Sequence, residues 1–120
     1  MAARSLSQRE PILMDVAIYH CQQAAEKAVK AFLVFRDRDP DKTHDVDGLL
    51  VQAAAFEPAL AASRPAGRRL TPYATLYRYP SGGMEPRFEQ LNEALDDAAS
   101  IYDQVLSCLP PEVHPGAEIS

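Results

Sequence analysis

Gln22-Gln23-Ala24-Ala25-Glu26-Lys27-Ala28-Val29-Lys30-Ala31 is dominated by strong helix formers and contains neither Gly nor Pro. The pattern extends on both sides. Leu13, Ala17, Cys21, Ala24, Ala28, Ala31 or Phe32, and Phe35 recur every three or four residues, the spacing of a helix that buries one stripe. A helix over residues 12–35 is predicted. Glu26 and Lys30 stand four apart in the order that favours a surface ion pair.

Pro40 is expected to end this helix, because it has no N–H for the ladder and drives Asp39 from helical dihedrals. Thr43 is placed to cap a second helix, with Asp45 and Asp47 in its first turn and an end near Ala55. Pro58, Pro65, Gly67 and Pro72 break up the stretch that follows. Leu70, Tyr73, Ala74 and Tyr77 keep helical spacing there, which predicts a short or broken third helix ending before Pro80. Ser81-Gly82-Gly83 reads as a flexible turn. Beyond it Met84, Phe88, Leu91, Leu95, Ala98, Tyr102, Val105 and Leu109 alternate four and three apart, the seam of a bundle helix or a coiled-coil-like dimer. Pro110-Pro111 stops it.

The fold expected is therefore all-α: an antiparallel up-and-down bundle of two long helices with shorter connecting helices. Residues 1–11 read as a flexible N-terminus, 12–109 as the helical domain and 110–120 as a disordered tail. A chain of 120 residues is one domain and can bury a core without metal or disulfide staples. Its apolar fraction of 47%, with no Trp, is ordinary for a globular protein. No apolar run reaches the length of a membrane span, and there is no hydrophobic leader, so a cytoplasmic protein is expected. Cys21 and Cys108 each fall in an apolar stripe and read as buried thiols; neither a metal site nor a cofactor is expected.

The net charge of −5 repels phosphate backbones, so any nucleic-acid or nucleotide contact must come from a local cluster. His20, Gln23 and Lys27 share a polar stripe at i, i+3 and i+7, either a solvated face or the lining of a phosphate groove. Lys42-Thr43-His44-Asp45 serves as a helix start, or as a site in which His44 acts beside Arg36 and Arg38. Arg64, Arg68, Arg69, Arg78 and Arg87 form the one basic concentration, solvated or anion-binding. P-loop, dinucleotide and Ser-His-Asp signatures are absent.

The QQAAEKAVKA segment, then Lys42-Thr43-His44-Asp45, then Arg78-Tyr79-Pro80, ahead of a long heptad-patterned last helix, resembles the small prokaryotic HEPN domains. The resemblance covers roughly residues 19–109. Many HEPN ribonucleases carry an Arg, four to six residues and then a His, a pair that would stabilise phosphorane charge and move a proton during attack by the RNA 2′-hydroxyl. Arg38 and His44 have that spacing but stand ahead of the second helix. In the family pattern the pair starts the last long helix, and here no His follows Arg78 within six residues. The Arg78-Tyr79-Pro80 turn matches the non-nuclease branch.

That branch usually opens with a further amphipathic helix, where this chain has eleven polar residues. Its absence would expose an apolar stripe and favour a homodimer. The resemblance thus implies a subunit, leaning away from an enzyme, that binds a nucleotide or RNA and partners a minimal nucleotidyltransferase in a toxin–antitoxin-like pair. His20, Gln23, Lys27, Lys42, His44, Arg78 and Tyr79 are its candidate ligand-binding residues, with Lys27, His44 and Arg78 meeting the phosphate. The alternatives are a metal-independent endoribonuclease toxin using Arg38 and His44, and a non-catalytic oligomerisation module.

Overall fold

The computed structural model of the chain describes residues 2–76 and 88–110. Helix α1 (Ala2–Phe35) is followed by α2 (Val46–Ala54), a 3-10 helix (Pro58–Ser63), α3 (Arg64–Leu70), α4 (Tyr73–Leu76) and α5 (Phe88–Ser107). The all-α bundle of two long helices and shorter connectors is present. Arg78, Tyr79, the Ser81-Gly82-Gly83 turn and the tail beyond Pro110 lie outside the described residues.

α1 starts at Ala2, ten residues ahead of the expected start at Ile12, and takes in Pro11. It ends before Pro40. Asp37 adopts a left-handed φ of 61°. The Arg38 N–H then donates to the Leu33 carbonyl at 2.8 Å and the Asp37 N–H to that of Val34 at 2.9 Å. This is a Schellman stop, in which a left-handed residue turns the chain and satisfies the last carbonyls. Asp can take the position because its short polar side chain tolerates the left-handed region.

The predicted cap of α2 is corrected. Asp45, not Thr43, is the N-cap: its Oδ1 accepts from the Gly48 N–H at 3.0 Å, with φ −81° and ψ 96°. The Thr43 hydroxyl instead accepts from the Asp45 N–H at 3.0 Å, which turns the chain ahead of the helix. Two short polar residues two apart compete for the same role, and the one whose reach matches the N3 position takes it. Thr71, which follows α3, supplies a second cap. Its hydroxyl accepts from the Val46 N–H at 3.0 Å and donates to the Gly67 carbonyl at 2.7 Å.

Side-chain neighbours give the helix directions. Leu13 and Ala17 share a cavity wall with Phe88 and Leu91, while Cys21 and Ala24 share one with Ala98 and Tyr102. The two long helices therefore run side by side in the same direction. Gln104 near the end of α5 reaches the Ala59 carbonyl beyond α2, and Arg38 after α1 lies over Phe56 at the same end. From there α3 and α4 return, since Thr71 sits back at the start of α2. The up-and-down alternation thus holds for α2, α3–α4 and α5.

The core joins Ile18, Ala25, Val29, Phe32 and Leu33 of α1 to Leu49 and Leu50 of α2, Leu60, Leu70 and the α5 residues Ala94, Ile101 and Val105. This stripe of α1 is rotated by about one residue from the expected one. Leu13 is 57% exposed, and Ala24, Ala31 and Phe35 face outwards. Two adjacent rows of α1 are apolar, and periodicity cannot rank them. Ile18, Ala25, Val29, Phe32 and Leu33 take the interior, while Val34 and Phe35 stay outside. On α5 the seam is likewise half outside, with Phe88 66%, Leu95 50% and Tyr102 41% exposed.

α3 is locked between its neighbours by two Arg–carboxylate forks. Arg69 bonds both oxygens of buried Asp97 on α5, at 2.9 and 2.7 Å. Arg64 does the same to Asp47 on α2, at 2.9 and 3.3 Å. Gly67 lets α3 approach α2: a Cβ there would stand 2.8 Å from Leu50 Cδ1 and 3.2 Å from the Asp47 nitrogen.

Three substitutions test this account by chemical denaturation. Thr71→Ala should cost roughly 1 kcal/mol through the lost cap, while Thr43→Ala should cost less because the helix keeps Asp45. Gly67→Ala should cost about 1–3 kcal/mol by overpacking the α2–α3 contact. If Thr43→Ala proves the more damaging of the two threonine changes, the assignment of the caps is wrong.

Candidate functional site

Gln22 and Glu26 are fully or nearly buried on the flank of α1 next to its core row. Buried polar groups need partners, and a buried charge needs several. The Gln22 amide donates to Glu26 Oε1 at 3.0 Å and to the His44 carbonyl at 3.1 Å. Its own oxygen accepts from Gln23 Nε2 at 2.7 Å. Glu26 Oε1 also meets His44 Nδ1 at 2.8 Å, and its Oε2 accepts from Lys30 Nζ at 3.0 Å.

The Glu26 and Lys30 pair expected at the surface therefore exists, but its carboxylate lies inside. Burial alone would raise the Glu26 pKa. The hydrogen bonds from His44, Gln22 and Lys30, with the charge of Lys30, outweigh it and hold the carboxyl below its ordinary value. At neutral pH Glu26 is an anion. It ties the segment between α1 and α2 back onto α1, and it presents His44 with the imidazole 61% exposed.

The structure brings together Gln23, Lys30 and His44 around Gln22 and Glu26, and it separates the other candidates. His20 turns to the opposite flank of α1, where it lines the groove against α5. Lys27 and Lys42 are exposed, with no hydrogen bond or ion pair among the described residues. Arg38 lays its guanidinium over the Phe56 ring, 4.4 Å from the centroid. Among the described residues no hydrogen bond or ion pair joins Arg38 to His44. Arg64 and Arg69 are occupied by Asp47 and Asp97, which leaves Arg68 as the exposed cation of that stretch.

Sequence reasoning missed Gln22 and Glu26 as site residues. A signal was present: both fall one position from the core row, next to Ile18, Ala25 and Val29, where a solvated Glu does not belong.

A second feature is the groove between α1 and α5. Two adjoining cavities of about 510 and 330 Å³ lie along it, with walls almost wholly apolar. Cys21 at its floor and Cys108 elsewhere are free thiols, both raised above the usual cysteine value by burial. Among the described residues, no group of three His, Cys, Asp or Glu could hold a metal. No helix among them is long and apolar enough to cross a membrane.

The comparisons with known proteins agree with the helical architecture. Neither the search of curated proteins nor that of solved structures gave a significant match. The family model for the HEPN domain matches residues 2–108, taking in α1, the Glu26–His44 cluster and all of α5. With nearly the whole chain matched, the protein belongs to the HEPN domain family.

Proposed function

We propose that this HEPN domain is a binding subunit: a homodimer that holds a phosphate-bearing nucleotide or RNA and serves a minimal nucleotidyltransferase of a toxin–antitoxin-like pair. It makes and breaks no bonds itself. The observation that carries the binding reading is the buried Glu26 holding His44 at 2.8 Å. A buried anion is an expensive way to fix a surface loop, and it presents one exposed imidazole in a set orientation. Lys27 and Arg78 supply cationic donors to offset the acidic chain, Lys27 from the exposed side of α1.

Binding is favoured over cleavage by the fate of Arg38. An Arg–His ribonuclease site needs both groups at one phosphate, and the Arg38 guanidinium is engaged with Phe56 while His44 is engaged with Glu26. The nucleotidyltransferase partner rests on the resemblance to the non-nuclease branch. A neighbouring reading frame encoding a small protein with a Gly-Ser and paired Asp motif would support it.

A second copy of the chain is the occupant assigned to the α1–α5 groove. Leu13, Phe88, Leu95 and Tyr102 leave apolar surface on one face. Its two rims differ in charge: Asp96 and Asp103 are exposed on α5, Lys27 on α1. A twofold that lays α1 of one copy along α5 of the other covers the apolar strip and pairs unlike charges.

Sedimentation at micromolar concentration should show a dimer, shifted to monomer by Leu95→Lys with Tyr102→Lys. A wild-type monomer would remove the second copy from the groove. Purified protein should bind nucleotide or RNA in a salt-sensitive way, several-fold more weakly after His44→Ala or Arg78→Ala, and leave RNA intact. RNA cleavage that disappears in both His44→Ala and Arg38→Ala would replace this reading with the ribonuclease one.

A further inference from the structure

We propose that Glu26 is a positioning residue that fixes His44 as its Nδ1–H tautomer with a bare Nε2 turned outwards. When the ring is neutral, Nε2 receives a hydrogen bond from a sugar hydroxyl of the ligand and gives none to its phosphate. The tautomer half stands on this chain alone. The hydroxyl half rests on the nucleotide-binding reading and names which part of the nucleotide His44 meets.

An imidazole has two nitrogens, and in the neutral ring one donates while the other accepts. Which does which is set by the partner of the buried nitrogen. Here that partner is Glu26 Oε1, 2.8 Å from Nδ1. The same carboxylate already accepts from Gln22 and Lys30, as an ionised, acceptor-only group does. Nδ1 must therefore carry the proton. The remaining nitrogen belongs to the exposed side of a ring that is 61% open to solvent, and it makes no hydrogen bond among the described residues.

Gln22 makes the arrangement stiff. Its amide holds the His44 carbonyl at 3.1 Å while also touching Glu26, so the backbone and the ring of His44 are fixed from one place. A bare nitrogen repels a phosphate oxygen, whose lone pairs it meets head on, and welcomes an O–H. In a nucleotide the O–H groups are on the sugar. Phosphate is left to cations, of which Lys27 is exposed and unpaired among the described residues while Lys30 is engaged by Glu26.

Two measurements on the full chain decide this. Long-range ¹⁵N–¹H correlation of the imidazoles, at a pH where the ring is neutral, should show His44 protonated at Nδ1. Free imidazole side chains prefer Nε2–H, so that form in the wild type would overturn the role of Glu26. Glu26→Ala should return the ring to Nε2–H. If that variant does not fold, the wild-type spectrum alone still decides.

Calorimetry with the four ribonucleoside 5′-monophosphates and their 2′,3′-dideoxy counterparts tests the hydroxyl. The ribose form should bind several-fold more tightly, and His44→Ala should erase the difference. Equal binding of the two forms by the wild type would overturn the hydroxyl contact. Binding of neither would defeat the nucleotide reading together with the hydroxyl, and would leave the tautomer to be judged by its spectrum.

Discussion

A carboxylate inside a small helical bundle is the constraint on which the order of this fold depends. Glu26 sits at 6% side-chain exposure on α1, and an unpaired charge there would cost several kcal/mol. The chain compensates by bringing the segment after α1 back along the helix until His44 and Gln22 complete the shell. That return fixes where α2 can begin. Asp45, next to His44, caps α2, and Asp47 in its first turn takes Arg64 of α3. Thr71 then closes the loop by binding the first N–H of α2. Because the Glu26 pKa is depressed by folding, this stabilisation is complete above the unfolded carboxylate value and is lost as pH falls through the folded one.

α1 carries three kinds of surface around one axis, so that so short a chain presents both a polar cluster and an apolar groove. Its core row packs on α2 and α5, one flank holds the Glu26 cluster, and the other flank forms the groove with α5. The two flanks are about half a turn apart on the helix. His44 and the row of Leu13, Ala17 and Ala24 therefore lie on opposite sides of α1.

Much of the architecture was legible in the sequence. The uninterrupted helix formers from Ile12 to Phe35 and the four-three repeat from Phe88 onwards mark the two long helices, and the prolines from 58 to 72 mark the broken stretch. What periodicity could not settle was rotation: two apolar rows compete on α1, and the choice depends on α2 and α5, which are distant in sequence. The cap of α2 was missed because Thr43 and Asp45 satisfy the same local rule, and the second cap, Thr71, lies 25 residues away. Glu26 was misread as a surface partner of Lys30 because an i,i+4 pair looks the same whether its acid points to water or to His44.

The distinction between binding and catalysis here is geometric, since the residue types for both are present. Arg38 and His44 have the spacing of a nuclease pair, yet a left-handed turn at Asp37 sends Arg38 over Phe56 at the far end of α2. His44 has meanwhile returned along α1 to Glu26. The five intervening residues turn on themselves, with the Thr43 N–H bonded to the Asp41 carbonyl at 2.9 Å, and they separate two side chains that sequence places together. An arginine held by an aromatic face and a histidine held by a buried acid each have a partner already. What the second still offers is one ring nitrogen without a hydrogen bond among the described residues, on a side chain 61% exposed.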